Sequence, residues 1–207
     1  ASQQCHPTSK LYVDRSLAGG THHMDIDYGP IAGLIGDWTG DRGTDVAPEP
    51  DGSETNPYHE TISFEPAGTA TNAETQVLAV IRYHQVVRRK SDGIVFHDQT
   101  GYWMWDAEAG IVMQSLTIPR AVCLLAGGRF SATDASDGGI TLEVQAKLDD
   151  NDWGIVQSPF MRDHARTLEF RHKLSIRGNE LSYAETTVLD IYGRKFDHTD
   201  ENTLVRS

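Results

Sequence analysis

Period-two alternation of apolar and polar residues runs through most of the chain after about residue 28. "ITLEVQAKL" sets Ile140, Leu142, Val144, Ala146 and Leu148 against Thr141, Glu143, Gln145 and Lys147. "RTLEFRHKLSIR" sets Leu168, Phe170, His172, Leu174 and Ile176 against Thr167, Glu169, Arg171 and Lys173. Such alternation predicts strands with one face on a core and the other in water. "YHETISFEP" and "ELSYAETTVLDIY" behave similarly, while "TQVLAVIRYHQVV", "IVFHDQTGYWMW" and "GIVMQSLTI" are β-rich without strict alternation. Turn chemistry separates the runs: Ser-Asp-Gly at 91–93, Glu-Ala-Gly at 108–110, Ala-Gly-Gly at 126–128, Ser-Asp-Gly-Gly at 136–139 and Arg-Gly-Asn at 177–179. Short strands at this spacing, with no amphipathic helix, predict an all-β antiparallel barrel or sandwich.

Two stretches break the rhythm. "DRGTDVAPEPDGSETNP" reads as a long polar loop over 41–57, and "DDNDWGIVQSPFMRDHA" as a connection with room for a helical turn. Residues 1–28 show no sustained period and read as an extended lead-in, leaving 29–207 as the domain.

Composition narrows the function classes. The 207 residues carry a formal net charge of -12, with 38% hydrophobic and 23% charged, as expected of one globular domain. That acidity excludes nucleic acid, which needs clustered Lys and Arg; Arg88, Arg89 and Lys90 merely approach a turn. The longest apolar run, "AVCLLAGG", has strand length, so no membrane partner is expected. Cys5 and Cys123 form neither a metal pair nor a disulfide framework, and Cys123 is expected to fill space in a buried strand. With no signal-like start, cytoplasm is the default location.

"GDWTGDRG" carries the first motif. Gly36 and Gly40 let backbone approach closely, and Trp38 plugs one barrel end with its N–H on a polar partner. Arg206 is expected across that indole as a cation–π contact that closes the sheet. Fold closure suffices to explain these residues. Taken together, "LIGDWTGDRG", "YHETISF", "HDQTGYW", "GIVMQSLTIP…CLLAGG" and "GNELSYAETTVLD", followed by a His near the C-terminus, are similar to the nitrobindin family over residues 29–207. The resemblance implies an up-and-down barrel of about ten antiparallel strands, shaped like fatty-acid-binding proteins. It also implies one haem b per chain, ferric iron, nitric oxide binding and isomerisation of peroxynitrite to nitrate.

Most of the nine histidines read as solvated. His6, His22 and His23 lie in the lead-in, His59 and His84 among polar neighbours, and His164 in the long connection. His172 stands on an apolar face, where a hydrogen-bonded core histidine is the common outcome. By resemblance, His198 is the proximal iron ligand, with Asp197, Asp200 or a carbonyl on its second nitrogen. Strict alternation would also turn Asp200 and Asn202 inward, so a strand start or bulge is expected at His198. The expected walls are Phe96, His97, Thr117, Ile118, Thr187 and Val188. Glu60 and Glu185 also alternate inward and are expected to pair with an Arg or Tyr. The family's Pro-Thr-Ile segment near the haem has no clear equivalent, Thr55 being the nearest residue, and the Lys that typically begins one strand is missing from "HARTLEF". A second reading stays open: a carrier of an apolar, fatty-acid-like ligand, with Arg82 as carboxylate clamp. The partner is a small molecule in either case, to a monomer or homodimer.

Overall fold

In a computed structural model that describes residues 26–131 and 138–207, the chain forms a closed antiparallel barrel. The lead-in expected over 1–28 falls almost wholly outside the described residues, as do Cys5, His6, His22 and His23. The strands are β1 (Gly36–Glu49), β2 (Gly52–Asn72), β3 (Gln76–Arg89), β4 (Val95–Asp106), β5 (Ile111–Ile118) and β6 (Val122–Arg129). They continue with β7 (Ile140–Lys147), β8 (Ile155–Gln157), β9 (Ala165–Arg177), β10 (Glu180–Ile191) and β11 (Arg194–Arg206). Ten of them close into a ring, with β1 paired to β11 and β5 to β6, while the short β8 rides on the outside edge of β6. The ring is thinnest between β6 and β7, where one register pair, Gly127 with Gln145, joins them.

The alternation read from sequence is the alternation of the wall. Leu142, Val144, Phe170, Leu174, Ile176 and Leu181 point inward and are almost fully buried, whereas Glu143, Gln145, Arg171 and Lys173 face water. One end is plugged. A 3-10 turn over Gly29–Leu34 buries Ile31 and Leu34 against Trp38, whose Nε1 donates to the Leu34 carbonyl at 2.7 Å. Arg206 lies over the Trp38 ring at 4.3 Å and donates to the Gly33 and Ile35 carbonyls. This is the closure predicted for the Gly-x-Trp motif, and it leaves the opposite end as the mouth.

Two expectations need correction, and the helical turn expected after β7 is present. Residues 41–57 are not a loop: β1 and β2 stay paired from Gly36–Phe64 out to Glu49–Gly52, leaving only Pro50 and Asp51 at the turn. The prolines are tolerated because this hairpin projects beyond the packed wall, where one missing donor costs little. Cys123 is exposed, because Val122, Leu124 and Ala126 take the inward side of β6. The connection after β7 holds both β8 and helix α1 (Pro159–His164), capped by Ser158 accepting from the Met161 N–H at 3.3 Å. At the β3–β4 turn Gly93 takes φ +73°, as the Ser-Asp-Gly signal requires.

Candidate functional site

The mouth end gathers the inward residues of the upper strands. His198 sits in mid-strand on β11, in regular register with Thr187 of β10. No bulge frees it, so the expectation of a strand start or bulge is overturned. Alternation does carry Asp200, Asn202 and Leu204 inward with it, and each polar one finds partners. The His198 side chain is 28% exposed, and its Nε2 lies 2.6 Å from Oδ1 of Asp45 and 3.5 Å from Oδ2 of Asp200.

Asp45 was invisible to sequence reasoning. Counting by twos from the inward Trp38 turns residue 45 outward. A bulge between Gly40 and Gly43 adds one residue to β1 and reverses the parity, so Asp45 faces in and is 2% exposed. Gly43 is required there, because a Cβ would collide with the Tyr58 ring lying across it. Asn56 donates to the second Asp45 oxygen at 3.1 Å and fixes the carboxylate. Burial works to raise the Asp45 pKa, but the His198 hydrogen bond and charge, aided by Asn56, leave it below its ordinary value. Burial likewise opposes a charged His198, yet the Asp45 hydrogen bond and the charges of Asp200 and Asp45 carry its pKa upward. Asp200, squeezed by burial and by Glu185 and Asp45, is pushed well above the carboxylate range despite the His198 charge.

The other expected wall residues divide by parity. Adjacent residues on a regular strand cannot both face one pocket. Ile118 and Thr187 take the inward side. Thr117 is exposed on the outer face, and Val188 stands opposite the exposed Asp197, so neither lines the mouth. A second bulge, between Val87–His97 and Arg88–Val95, adds a residue to β4. It turns Phe96 toward Tyr58, ring centroids 6.2 Å apart. His97 faces Gln99 at 3.2 Å, and its burial, with the Arg120 and His198 charges, depresses its pKa. Thr55 is exposed.

Beneath the mouth lies a buried polar network. Glu60, 2% exposed, accepts from Gln85 at 2.6 Å, from Asn202 at 2.7 Å and from the Tyr183 hydroxyl at 3.0 Å. Tyr183 in turn meets the Tyr58 hydroxyl at 2.7 Å. The expected tyrosine partner for Glu60 is therefore present. Burial pushes the Glu60 pKa to about 7 against those donors, and burial with the Glu60 charge pushes Glu185 to about 8. His172 is a core histidine: its Nδ1 meets Gln114 at 2.9 Å, while Nε2 has no partner, and burial lowers its pKa to about 4.

These acids bear on the carrier reading. Arg82, its expected clamp, points out of the barrel, exposed and paired with Glu65. The interior offers acids in its place: Asp45, held in its charged form beside His198, and Glu60, Glu185 and Asp200, which burial pushes toward the neutral form.

Residues 27–206 match the family described as the THAP4-like, heme-binding beta-barrel domain. The chain belongs to that family. The nitrobindin resemblance read from the motifs is thus established over nearly the whole chain. Among solved structures, the barrel is similar to Rv2717c from M. tuberculosis, with a TM-score of 0.62 and 22% identity, over 86% of this chain and 94% of that one. At that identity the likeness speaks for the fold. A search of curated proteins gives no match. No helix among the described residues is long and apolar enough to cross a membrane.

The site's residues fit a haem in kind. An imidazole faces the open end, Ile118, Val122, Phe170 and Met161 supply apolar wall, and His97 is a second, half-buried imidazole. One contact opposes it, the commitment of His198 Nε2 to Asp45.

Proposed function

We propose that the barrel mouth binds one ferric haem b per chain through His198, that the bound group takes nitric oxide, and that the protein isomerises peroxynitrite to nitrate. Membership of a haem-binding barrel family, with an inward imidazole at the mouth on β11, is the observation that carries this reading. When bound, the haem supplies a Lewis-acidic iron with one open position.

The chain's own residues do the rest. His198 donates to iron as a neutral imidazole. Phe96, Ile118 and Thr187 are the pocket walls, largely apolar and poor in donors, which suits nitric oxide better than a ligand needing strong hydrogen bonds. His97, its pKa lowered by burial, is uncharged at neutral pH and can present a single donor. Arg89 and Arg120, near the Phe96 end of the mouth, are cations suited to haem propionates. The partner is a small molecule, the chain acting as monomer or homodimer. An exposed free thiol at Cys123 suits the reducing cytoplasm.

Haemin titrated into the purified protein should give a saturable Soret band at one equivalent, lost in His198→Ala. Nitric oxide should then shift that band, and added peroxynitrite should decay faster with nitrate as product. Absence of the band, or a band indifferent to His198→Ala, overturns the reading.

A further inference from the structure

We infer that Asp45 is an internal competitor for the nitrogen of His198 that iron must take, so that haem enters this barrel only by displacing a hydrogen bond built into the fold. The inference rests on the haem reading above. Nε2 is the ring nitrogen farthest from the main chain, and so the one a flat macrocycle can approach. It is also the nitrogen held by Asp45 at 2.6 Å.

That contact is constructed rather than incidental. The bulge between Gly40 and Gly43 turns Asp45 inward, Asn56 pins its other oxygen, and the backbone around it is paired on both sides, to Asn56 and to Asp200. A buried carboxylate on an imidazole makes a charge-assisted bond, stronger than one between neutral groups. Asp200 at 3.5 Å stands behind it as a weaker second contact. Asp45 is thus a positioning residue. It keeps the imidazole turned toward the β1 wall until a stronger ligand arrives, and it sets how much of the iron–imidazole affinity is realised.

The test is haemin titration of the full chain carrying Asp45→Asn, which leaves a weaker neutral bond, and Asp45→Ala, which leaves none. Affinity should rise in that order, by roughly ten- to a hundredfold for the alanine variant, the equivalent of one charge-assisted hydrogen bond. The Soret band should remain dependent on His198. Circular dichroism and the urea midpoint identify folded variants, and Asp45→Asn serves if Asp45→Ala does not fold. In haem-free protein, the ring ¹⁵N and ¹H signals of His198 should move in Asp45→Asn. Binding by the variants when the wild type binds nothing also supports the inference. Folded variants that bind haemin no tighter than wild type, or unmoved His198 ring signals, overturn it. If the wild type binds through His198 and Asp45 makes no difference, only this inference fails; if no chain binds haemin, the haem reading fails with it.

Discussion

Replacing Glu60 by Gln should abolish one component of the protein's pH-dependent stability. Glu60 is buried at 2% exposure and its pKa is raised from 4.5 to about 7, with burial the dominant cause. A raised carboxyl pKa means the folded state holds its proton more tightly than the unfolded chain. Its contribution is therefore fully present below pH 4.5 and lost as pH rises to about 7, after which it stays lost. At about 1.4 kcal/mol per unit, the span amounts to about 3 kcal/mol. His172 works in the opposite sense, and Glu185 in the same one, so the wild-type profile alone is a mixture. The informative quantity is the stability gap between wild type and Glu60→Gln, from urea midpoints at fixed steps between pH 4 and 8. The gap should change by about 3 kcal/mol in favour of the variant as pH rises. A gap flat across that window, or one that moves in favour of wild type, refutes the reasoning.

Two further outcomes follow from the same barrel. His172→Gln should remove an acid-side loss: the wild-type pKa of about 4 means stability present above pH 6.5 and lost as pH falls toward 4. That is about 3 kcal/mol, read as a flatter urea-midpoint profile in the variant. Arg206→Met should cost roughly 2–4 kcal/mol by losing its carbonyl bonds and its stacking on Trp38, measured by urea unfolding, while leaving haemin affinity unchanged because it lies at the plugged end.

The wall of this barrel was legible because each strand between bulges obeys a two-residue period. The predicted inward sets hold on β7 from Ile140 to Ala146 and on β9 from Phe170 to Ile176, whereas a bulge at the start of β9 buries Thr167 in place of Leu168; the Trp38–Arg206 closure follows from residue chemistry alone. The site was less so, for a mechanical reason. Asp45 faces the pocket because β1 gains a residue at a bulge, and nothing in local composition announces where parity will flip; Phe96, an expected wall residue, stands at the corresponding bulge of β4. Pairing Thr117 with Ile118 and Thr187 with Val188 ignored the alternation that was available, and one of each pair turns away. Arg82 misled for the same reason, standing on an outward position among β-rich neighbours.

His198 and Asp45 sit 153 residues apart along the chain, on the last strand and the first. Their meeting closes the cylinder. The span adds only slowly to the entropy of closure, yet such distant pairings are the slow events of folding. A partly assembled chain with β11 still undocked has its pocket-bearing sheet open and its two key side chains in separate places. The paired arrangement of the two side chains is in this way absent from every intermediate short of the finished ring, and a ligand that depends on it meets only completed protein.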